Sequence, residues 1–310
     1  PWLMLLCGLE MLGKRAVPEY QSLEGDSISH ATSNNTIVMF PTNGVGFGHF
    51  TRMLAVAKRM KFKDPNLEII FFTTMPTLHL LKPHGIAAHH ISGPKYFKNL
   101  DSTSWNELVE EELRLCFEIH KPKMFMFDGA FPYRGMLRAL QANEQINKVW
   151  MRRGTFRKGS SIPVDSIDHF DLIIHPEDSV KLDLSETEHD VDVLTCRPII
   201  LLDDKDLLDR ETARIRLNLP TDSTIVYVQL GAGEINQIDS EIRLTVEALT
   251  SFENVHVVLG ESMLGERLII DIPKVHLLRD YPNSMYYKGF DATVQAGGYN
   301  SFHESRVFRL

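Results

Sequence analysis

Apolar residues follow two different spacings along most of this chain. Short runs rich in Val, Ile and Phe alternate with longer stretches in which apolar residues recur every three or four positions. The first spacing is typical of buried strands and the second of amphipathic helices. We predict strands at 36–40, 67–72, 124–127, 148–151, 172–174, 224–230, 255–259, 275–278 and 291–294, and helices at 51–61, 105–118, 135–143, 210–217, 240–249 and 301–310. Alternating buried strands and helices predict an α/β fold with parallel sheets covered on both faces.

A glycine-rich turn follows the first strand of each half of the chain. One turn ends at Gly48 and the other is Gly231 to Gly233. Two such units predict two Rossmann-like domains facing each other across a cleft. We expect an N-terminal extension at 1–35, a first domain at 36–200 and a second domain at 201–310.

Composition narrows the class of protein without naming a function. The 310 residues are 43% hydrophobic and 24% charged, which is ordinary for a globular protein and excludes disordered, collagen-like and disulfide-scaffold classes. The net charge of −8 and the lack of a long basic run argue against a nucleic-acid partner. The three cysteines form no CxxC pair, which argues against a zinc knuckle and favours a reduced, cytoplasmic setting.

The apolar opening, residues 2–9, is too short to cross a bilayer and lacks the basic start of a signal peptide. A docked terminal helix is one interpretation, and a peripheral contact with the inner face of a membrane is the other. The chain begins with Pro1 and closes on a helical segment without a capping glycine. We therefore expect a fragment whose second domain is incomplete.

The first glycine turn, Gly44-Val45-Gly46-Phe47-Gly48-His49, does not fit the dinucleotide fingerprint G-x-G-x-x-G. That fingerprint needs a glycine where His49 stands and an acidic residue after the second strand, where Thr73 and Thr74 stand. The P-loop pattern also fails, because no Gly-Lys-Ser/Thr follows. The turn and the helix start can still approach an anion, and His49 is a candidate acid or base at the ligand-binding edge of the sheet.

Further candidate residues have two interpretations each. Asp128 ends a strand, so it either forms a turn or orients His49. Arg134 and the basic run 152–158 either contact an acidic ligand or lie in solvated loops. The histidines at 84, 89 and 90 lack the helical spacing of a metal motif, so we predict no metal site.

A second constellation lies near the C-terminus. Gly297 and Gly298 follow a short strand, Asn300 and Ser301 stand at a helix start, and Glu304 lies one turn inside that helix. One interpretation is a capped helix in which Glu304 serves the cap. The other is a ligand site at a helix N-terminus.

Taken together and in this order, these motifs resemble the GT-B glycosyltransferases, in particular family 28. That family includes the bacterial N-acetylglucosaminyltransferase of peptidoglycan synthesis and the diacylglycerol galactosyltransferases. The residues that carry the resemblance are Gly46 to His49 with Arg52, Leu230 to Gly233, and Ala296 to Glu304. The last group is the most specific, and the resemblance extends from about residue 36 to residue 304.

The resemblance implies that a UDP-sugar binds in the cleft and that no cofactor or metal is needed. It implies that His49 is the general base or a contact to an acceptor phosphate, and that Glu304 accepts hydrogen bonds from the ribose hydroxyls. We take His49 as the base and Asp128 as the carboxylate that orients it. The other donor-side residues would be Gly231, Ala232, Gly233, Arg279, Gly297, Gly298, Asn300 and Ser301, and the acceptor-side residues Gly46, Gly48, Arg52 and Arg134.

The implied reaction transfers a hexosyl or N-acetylhexosaminyl group from the UDP-sugar to a hydroxyl, with inversion. The acceptor would be a glycan, a lipid-linked molecule or a small hydroxyl compound, in cell-envelope or polysaccharide synthesis. Two alternatives stay open: a UDP-N-acetylglucosamine 2-epimerase of the same fold, and a truncated, non-catalytic remnant that binds nucleotide or glycan.

Overall fold

The structure is a computed structural model, and it describes residues 35–42, 46–93, 97, 100–153, 164–179, 191–231, 239–263 and 271–310. These residues belong to one compact unit, Asn35–Leu310. The predicted N-terminal extension lies outside the described residues except for Asn35. Among the candidate site residues, Ala232 and Gly233 also lie outside them.

Seven parallel strands form the first sheet, in the order β3-β2-β1-β4-β5-β6-β7. The central strands are apolar on both faces, so the sheet is buried between two apolar clusters. The strands are β1 (Thr36–Pro41), β2 (Glu68–Thr73), β3 (Ala87–His90), β4 (Met124–Asp128), β5 (Asn147–Met151), β6 (Leu172–Pro176) and β7 (Asp192–Cys196).

Four parallel strands form the second sheet, in the order β10-β9-β8-β11. They are β8 (Thr224–Gln229), β9 (Val255–Gly260), β10 (Val275–Leu278) and β11 (Ala292–Gln295). The described α-helices are α1 (Gly48–Lys63), α2 (Ser102–His120), α3 (Arg134–Gln141), α4 (Arg210–Arg216), α5 (Asp239–Thr250) and α6 (Tyr299–Phe308).

Both sheets follow the Rossmann-like arrangement, in which the chain returns through a crossover to a parallel neighbour. The predicted α/β fold with two Rossmann-like domains is therefore confirmed. One apolar cluster joins residues under the first sheet, such as Met39, to residues under the second, such as Tyr227. The domain boundary near residue 200 stays a prediction.

The apolar pattern did not predict two of the strands, β3 and β7, and both lie at the edges of the first sheet. β3 reads Ala-Ala-His-His and contains no β-branched residue, and β7 exposes Val193 and Leu194 by 42% and 52%. Edge strands need less apolar covering than central ones, so their sequences carry a weaker signal.

No described helix combines the length and the apolar character needed to cross a bilayer.

Candidate active site

A cavity of about 480 Å³ lies between the two sheets, where the start of α1 faces the start of α6. Open α/β sheets bind ligands at this place, beyond the carboxyl ends of the strands. Three groups of residues line the cavity: Gly46 to His49 with Thr51, Arg52 and Arg153 from the first domain; Gln229, Gly231 and Glu261 to Met263 from the second; and Asp280 to Ser284, Tyr287, Ala296, Gly298 to Ser301 and Glu304, also from the second.

His49 lies in the first turn of α1, which begins at Gly48 rather than at the predicted Thr51. Gly48 is part of the helix, so His49 and Arg52 stand three positions apart on one helical face. Both side chains converge on Asp128 at the end of the adjacent β4. His49 Nδ1 lies 2.7 Å from Asp128 Oδ1, and Arg52 Nε donates to Asp128 Oδ2 at 2.8 Å.

The ionised Asp128 fixes the tautomer of His49. A carboxylate can only accept, so His49 Nδ1 must carry the proton that bridges the 2.7 Å contact. Arg52 Nη2 also lies 3.0 Å from His49 Nδ1, but both atoms are donors, so this contact is not a hydrogen bond. The two atoms lie close together because both donate to Asp128 Oδ1. In the neutral ring the second nitrogen, Nε2, then carries no proton and can accept one from a ligand.

Asp128 is fully buried, while the His49 side chain is 27% exposed. Burial alone raises the pKa of Asp128. The Arg52 charge and the hydrogen bonds from His49 and Arg52 outweigh that effect and hold the pKa below its ordinary value. The charge that orients His49 is therefore present throughout the neutral range.

The N-terminus of α6 points at the same cavity. Gly297 has φ +68°, a left-handed conformation that favours glycine, and Gly298 is the N-cap. No side chain caps the helix, whose first internal hydrogen bond joins Phe302 N–H to Gly298 O. The capped-helix interpretation is wrong: Asn300 Nδ2 donates instead to Gly48 O at 3.1 Å and Ser301 Oγ to Gln229 Oε1 at 3.3 Å. The backbone N–H groups of the first turn are left for an anion.

Glu304 does not serve a cap either, because it lies buried in the wall of the cavity with only 7% exposure. Burial raises its pKa to about 7, against a smaller opposing effect of the nearby Ser284 hydroxyl. Asn283 Oδ1 and Asn300 Oδ1 also lie in the wall as buried polar atoms without a hydrogen-bond partner among the described residues. Buried, unpaired polar atoms around one cavity are the mark of a polar ligand site.

The raised pKa of Glu304 makes stability depend on pH. In the unfolded chain Glu304 ionises near its ordinary pKa, while in the folded chain it stays neutral up to about pH 7. The free energy of unfolding of the wild type therefore decreases as the pH rises from about 4.5 to about 7. The shift from 4.5 to about 7 corresponds to at most about 3 kcal/mol. We therefore expect Glu304→Gln to be the more stable protein at about pH 8, with the difference gone near pH 4.5.

Urea unfolding across this pH range measures the effect. Glu247→Gln, on the exposed face of α5, is the matched control and should change stability little at any pH. A Glu304→Gln protein that is less stable than wild type at pH 8 would mean that the carboxylate is ionised and held by partners within the fold.

Contacts across the cleft involve two tyrosine side chains to which the sequence motifs assigned no role. The Tyr299 ring packs under two first-domain guanidinium groups, with Arg52 Cζ at 5.3 Å and Arg153 Cζ at 4.7 Å from its centroid. The Tyr281 hydroxyl shares a 2.9 Å hydrogen bond with Thr51 Oγ1, and its ring lies 5.0 Å from that of Phe47. Tyr299 and Tyr281 lie next to predicted donor-side residues in the sequence, and this proximity was the one sequence feature that pointed to a role for their side chains.

Four of the described site residues predicted from the sequence are not on the cavity wall: Arg134, Arg279, Gly297, and Asp128, which contacts the lining residues His49 and Arg52. Arg279 donates from Nη2 to Met263 O at 3.0 Å, so it supports the wall from behind. Arg134 is the first residue of α3 and lies outside the lining. Gly297 shapes the turn without lining the cavity, and from the basic run Arg153 alone, among its described members, reaches it.

Neither a protein-family model nor a curated protein sequence matches this chain. Solved structures do match it. MurG from Acinetobacter baumannii is 14% identical, with a TM-score of 0.50 over 87% of this chain and 75% of that chain. The spinosyn forosaminyltransferase SpnP is 13% identical, with a TM-score of 0.57 over 87% and 78%. UDP-GlcNAc 2-epimerase from Neisseria meningitidis, solved with UDP-GlcNAc bound, is 12% identical, with a TM-score of 0.60 over 85% and 78%.

These likenesses identify the fold as GT-B, two Rossmann-like domains around a cleft, as the sequence motifs predicted. The resemblance to GT-B glycosyltransferases is confirmed at the level of the fold. Identities of 12% to 14% carry the fold alone. The reaction depends on the residues of the site.

Proposed function

We propose that this protein is a glycosyltransferase that moves a hexosyl or N-acetylhexosaminyl group from a UDP-sugar to a hydroxyl acceptor. The observation that carries the proposal is the oriented His49 facing an uncapped helix N-terminus across one cavity. A base for the incoming hydroxyl and a positive helix end for the departing diphosphate are the two groups that such a transfer requires.

In the proposed mechanism His49 Nε2 takes the proton of the acceptor hydroxyl as its oxygen attacks the anomeric carbon. The bond from that carbon to the diphosphate oxygen breaks, and the new bond forms on the opposite face, so the reaction inverts the configuration. Asp128 stabilises the imidazolium that results, because its charge lies 2.7 Å from Nδ1. The negative charge that grows on the leaving diphosphate is met by the first-turn N–H groups of α6.

The second domain supplies the proposed donor site. Gly298, Asn300 and Ser301 would hold the diphosphate, and Glu304 would accept hydrogen bonds from the ribose hydroxyls in its ionised form. The backbone from Asp280 to Tyr281, also in the cavity wall, would border the base. Gly46, Gly48 and Arg52 lie on the other side of the cavity, so we assign the acceptor to the first domain.

Calorimetry with UDP, NAD and inorganic pyrophosphate tests the proposal. We expect UDP to bind and NAD not to bind, because the acidic residue that would hold an NAD ribose is absent after β2. Turnover of a panel of UDP-sugars then identifies the donor. Tighter binding of NAD than of UDP would overturn the donor assignment.

Glu304→Ala separates ribose recognition from diphosphate recognition in the same experiment. Loss of hydrogen bonds to a carboxylate should weaken UDP by roughly 10- to 100-fold. Pyrophosphate has no ribose hydroxyls, so its affinity should change far less. Equal losses for both ligands would mean that Glu304 only supports the fold.

A UDP-N-acetylglucosamine 2-epimerase is the second candidate, since one solved structure with this fold carries that name. Epimerisation needs carboxylates that remove and return a proton in the cleft. Asp128 is tied to Arg52 and His49, but Glu261, Asp280 and Glu304 line the cavity. Incubation of the UDP-sugar in heavy water without an acceptor separates the two: deuterium in the recovered nucleotide sugar indicates the epimerase, and none supports the transferase.

A further inference from the structure

Outside the lining of the cleft, three side chains with nitrogen or sulfur donor atoms meet at the edge of the first sheet. His89 on β3 and His120 at the end of α2 face each other with their Nε2 atoms 2.8 Å apart. Cys116 lies one turn before His120 on the same face of α2. One ring nitrogen of each histidine and the Cys116 Sγ all lie within 4.8 Å of one another.

The fold explains why these residues converge. His89 pairs in register with Phe72, which packs in the apolar cluster beneath α2, so His89 points toward that helix. Cys116 belongs to the same cluster and is fully buried, while both histidines are partly accessible. The site is therefore closed on the side of the core and open on the side of solvent.

From this geometry we propose that His89, Cys116 and His120 bind one divalent zinc ion, with a water molecule as the fourth ligand. Two imidazole nitrogens and a thiolate are the donors that zinc prefers, and three protein ligands leave one position open. Nothing in the proposed glycosyl transfer uses this site.

The dimensions are close to those of a zinc centre. Bonds of about 2.0–2.3 Å in a tetrahedron hold ligand atoms roughly 3.3–3.7 Å apart. The two nitrogens would separate slightly from 2.8 Å and the sulfur would move inward, shifts within the reach of side-chain rotation.

Binding exchanges a proton for the metal. The Cys116 thiol loses its hydrogen to solvent as the sulfur–zinc bond forms, and both histidines bind as neutral rings. Burial raises the pKa of the unmetallated thiol to about 12, so the cation must stabilise the thiolate that it creates. The bound ion would fasten the edge strand β3 to α2.

The experiment uses the full chain, stripped of metal by a chelator and dialysed, and titrates it with zinc alone. We expect a single site that raises the melting temperature, and cobalt at that site should give the absorption of a tetrahedral ion bound to sulfur. Cys116→Ser and His120→Gln should each weaken zinc by at least about tenfold. His120→Gln alters the accessible helix end, so it keeps the test valid if the buried Cys116 variant does not fold.

Matched controls distinguish this site from adventitious binding. His90→Gln changes the neighbouring β3 residue that faces the other side of the sheet, and Cys196→Ser removes the other free cysteine of the described residues. Neither should alter zinc affinity. Absence of zinc binding, or unchanged affinity in folded His120→Gln, would overturn the proposal, and a cobalt spectrum without a sulfur signature would exclude Cys116 as a ligand.

Discussion

His49→Ala should lower kcat by about 10²- to 10⁴-fold while UDP affinity stays nearly unchanged. The reason is geometric: the ring belongs to the first domain, whereas Glu304 and the α6 N-terminus that would hold UDP belong to the second. Loss of a general base affects only the transition state, so kcat falls without a matching loss of ground-state binding. The measurement is turnover of the donor sugar identified by the UDP-sugar panel, per folded molecule.

His49→Gln provides the conservative comparison. Glutamine can still donate a hydrogen bond to Asp128 but cannot take a proton, so it should lose as much kcat as alanine with a smaller loss of stability. His79→Ala, outside the cavity lining, is the control and should leave kcat unchanged. A fully folded His49→Ala protein with wild-type kcat would eliminate the base assignment.

Asp128→Asn should reduce kcat less than His49→Ala does, because the base itself remains. The acidic limb of the pH–rate profile should move to lower pH, since removal of a neighbouring carboxylate disfavours a protonated imidazole. A merely structural role for Asp128 would change stability without moving that limb.

The sequence predicted the fold well where strands are buried and poorly where they are not. Central strands such as β4 and β8 are largely apolar along their length, and a short apolar run of this kind predicts a strand that is buried on both faces of the sheet. β3 carries two histidines and lies at the sheet edge, so its identity as a strand depends on pairing with β2. That pairing is a long-range property, and no local pattern encodes it.

The same distinction holds at the two candidate sites. The sequence predicted that Asp128 lies near His49, because the carboxyl ends of neighbouring parallel strands lie at the same edge of a sheet, and the structure places the two side chains in contact. The prediction of no metal site considered His84, His89 and His90, which are near in sequence. The structure instead joins His89 to Cys116 and His120 on a helix that packs across β3, a partnership that depends on tertiary contact.

Arg52→Met should destabilise the protein by about 3–5 kcal/mol at neutral pH, because it leaves the Asp128 charge buried without its main partner. Arg52 is 1% exposed and Asp128 is fully buried, and the two share two hydrogen bonds. The substitution also removes the guanidinium that packs on Tyr299 from the second domain. Urea unfolding measures the loss.

Arg59→Met is the matched control on the same helix. Arg59 pairs with Asp203 at 2.8 Å, but both side chains are about half exposed, so the loss should stay below roughly 1 kcal/mol. If Arg52→Met costs no more than Arg59→Met, the buried ion pair does not hold the site together.

The pH dependence of the two proteins should have opposite signs. In the wild type the lowered pKa of Asp128 contributes stability above its unfolded pKa, and this contribution disappears as pH falls through the folded value. Without Arg52 the effect of burial dominates and raises the pKa of Asp128, so Arg52→Met should gain stability as pH falls from 7 toward 5. Arg52→Met/Asp128→Asn, in which neither of the two positions carries a charge, should recover much of the loss and show neither trend. Arg52 would then be the residue that keeps Asp128 ionised inside the protein, and that ionised carboxylate is what leaves His49 Nε2 free to act as a base.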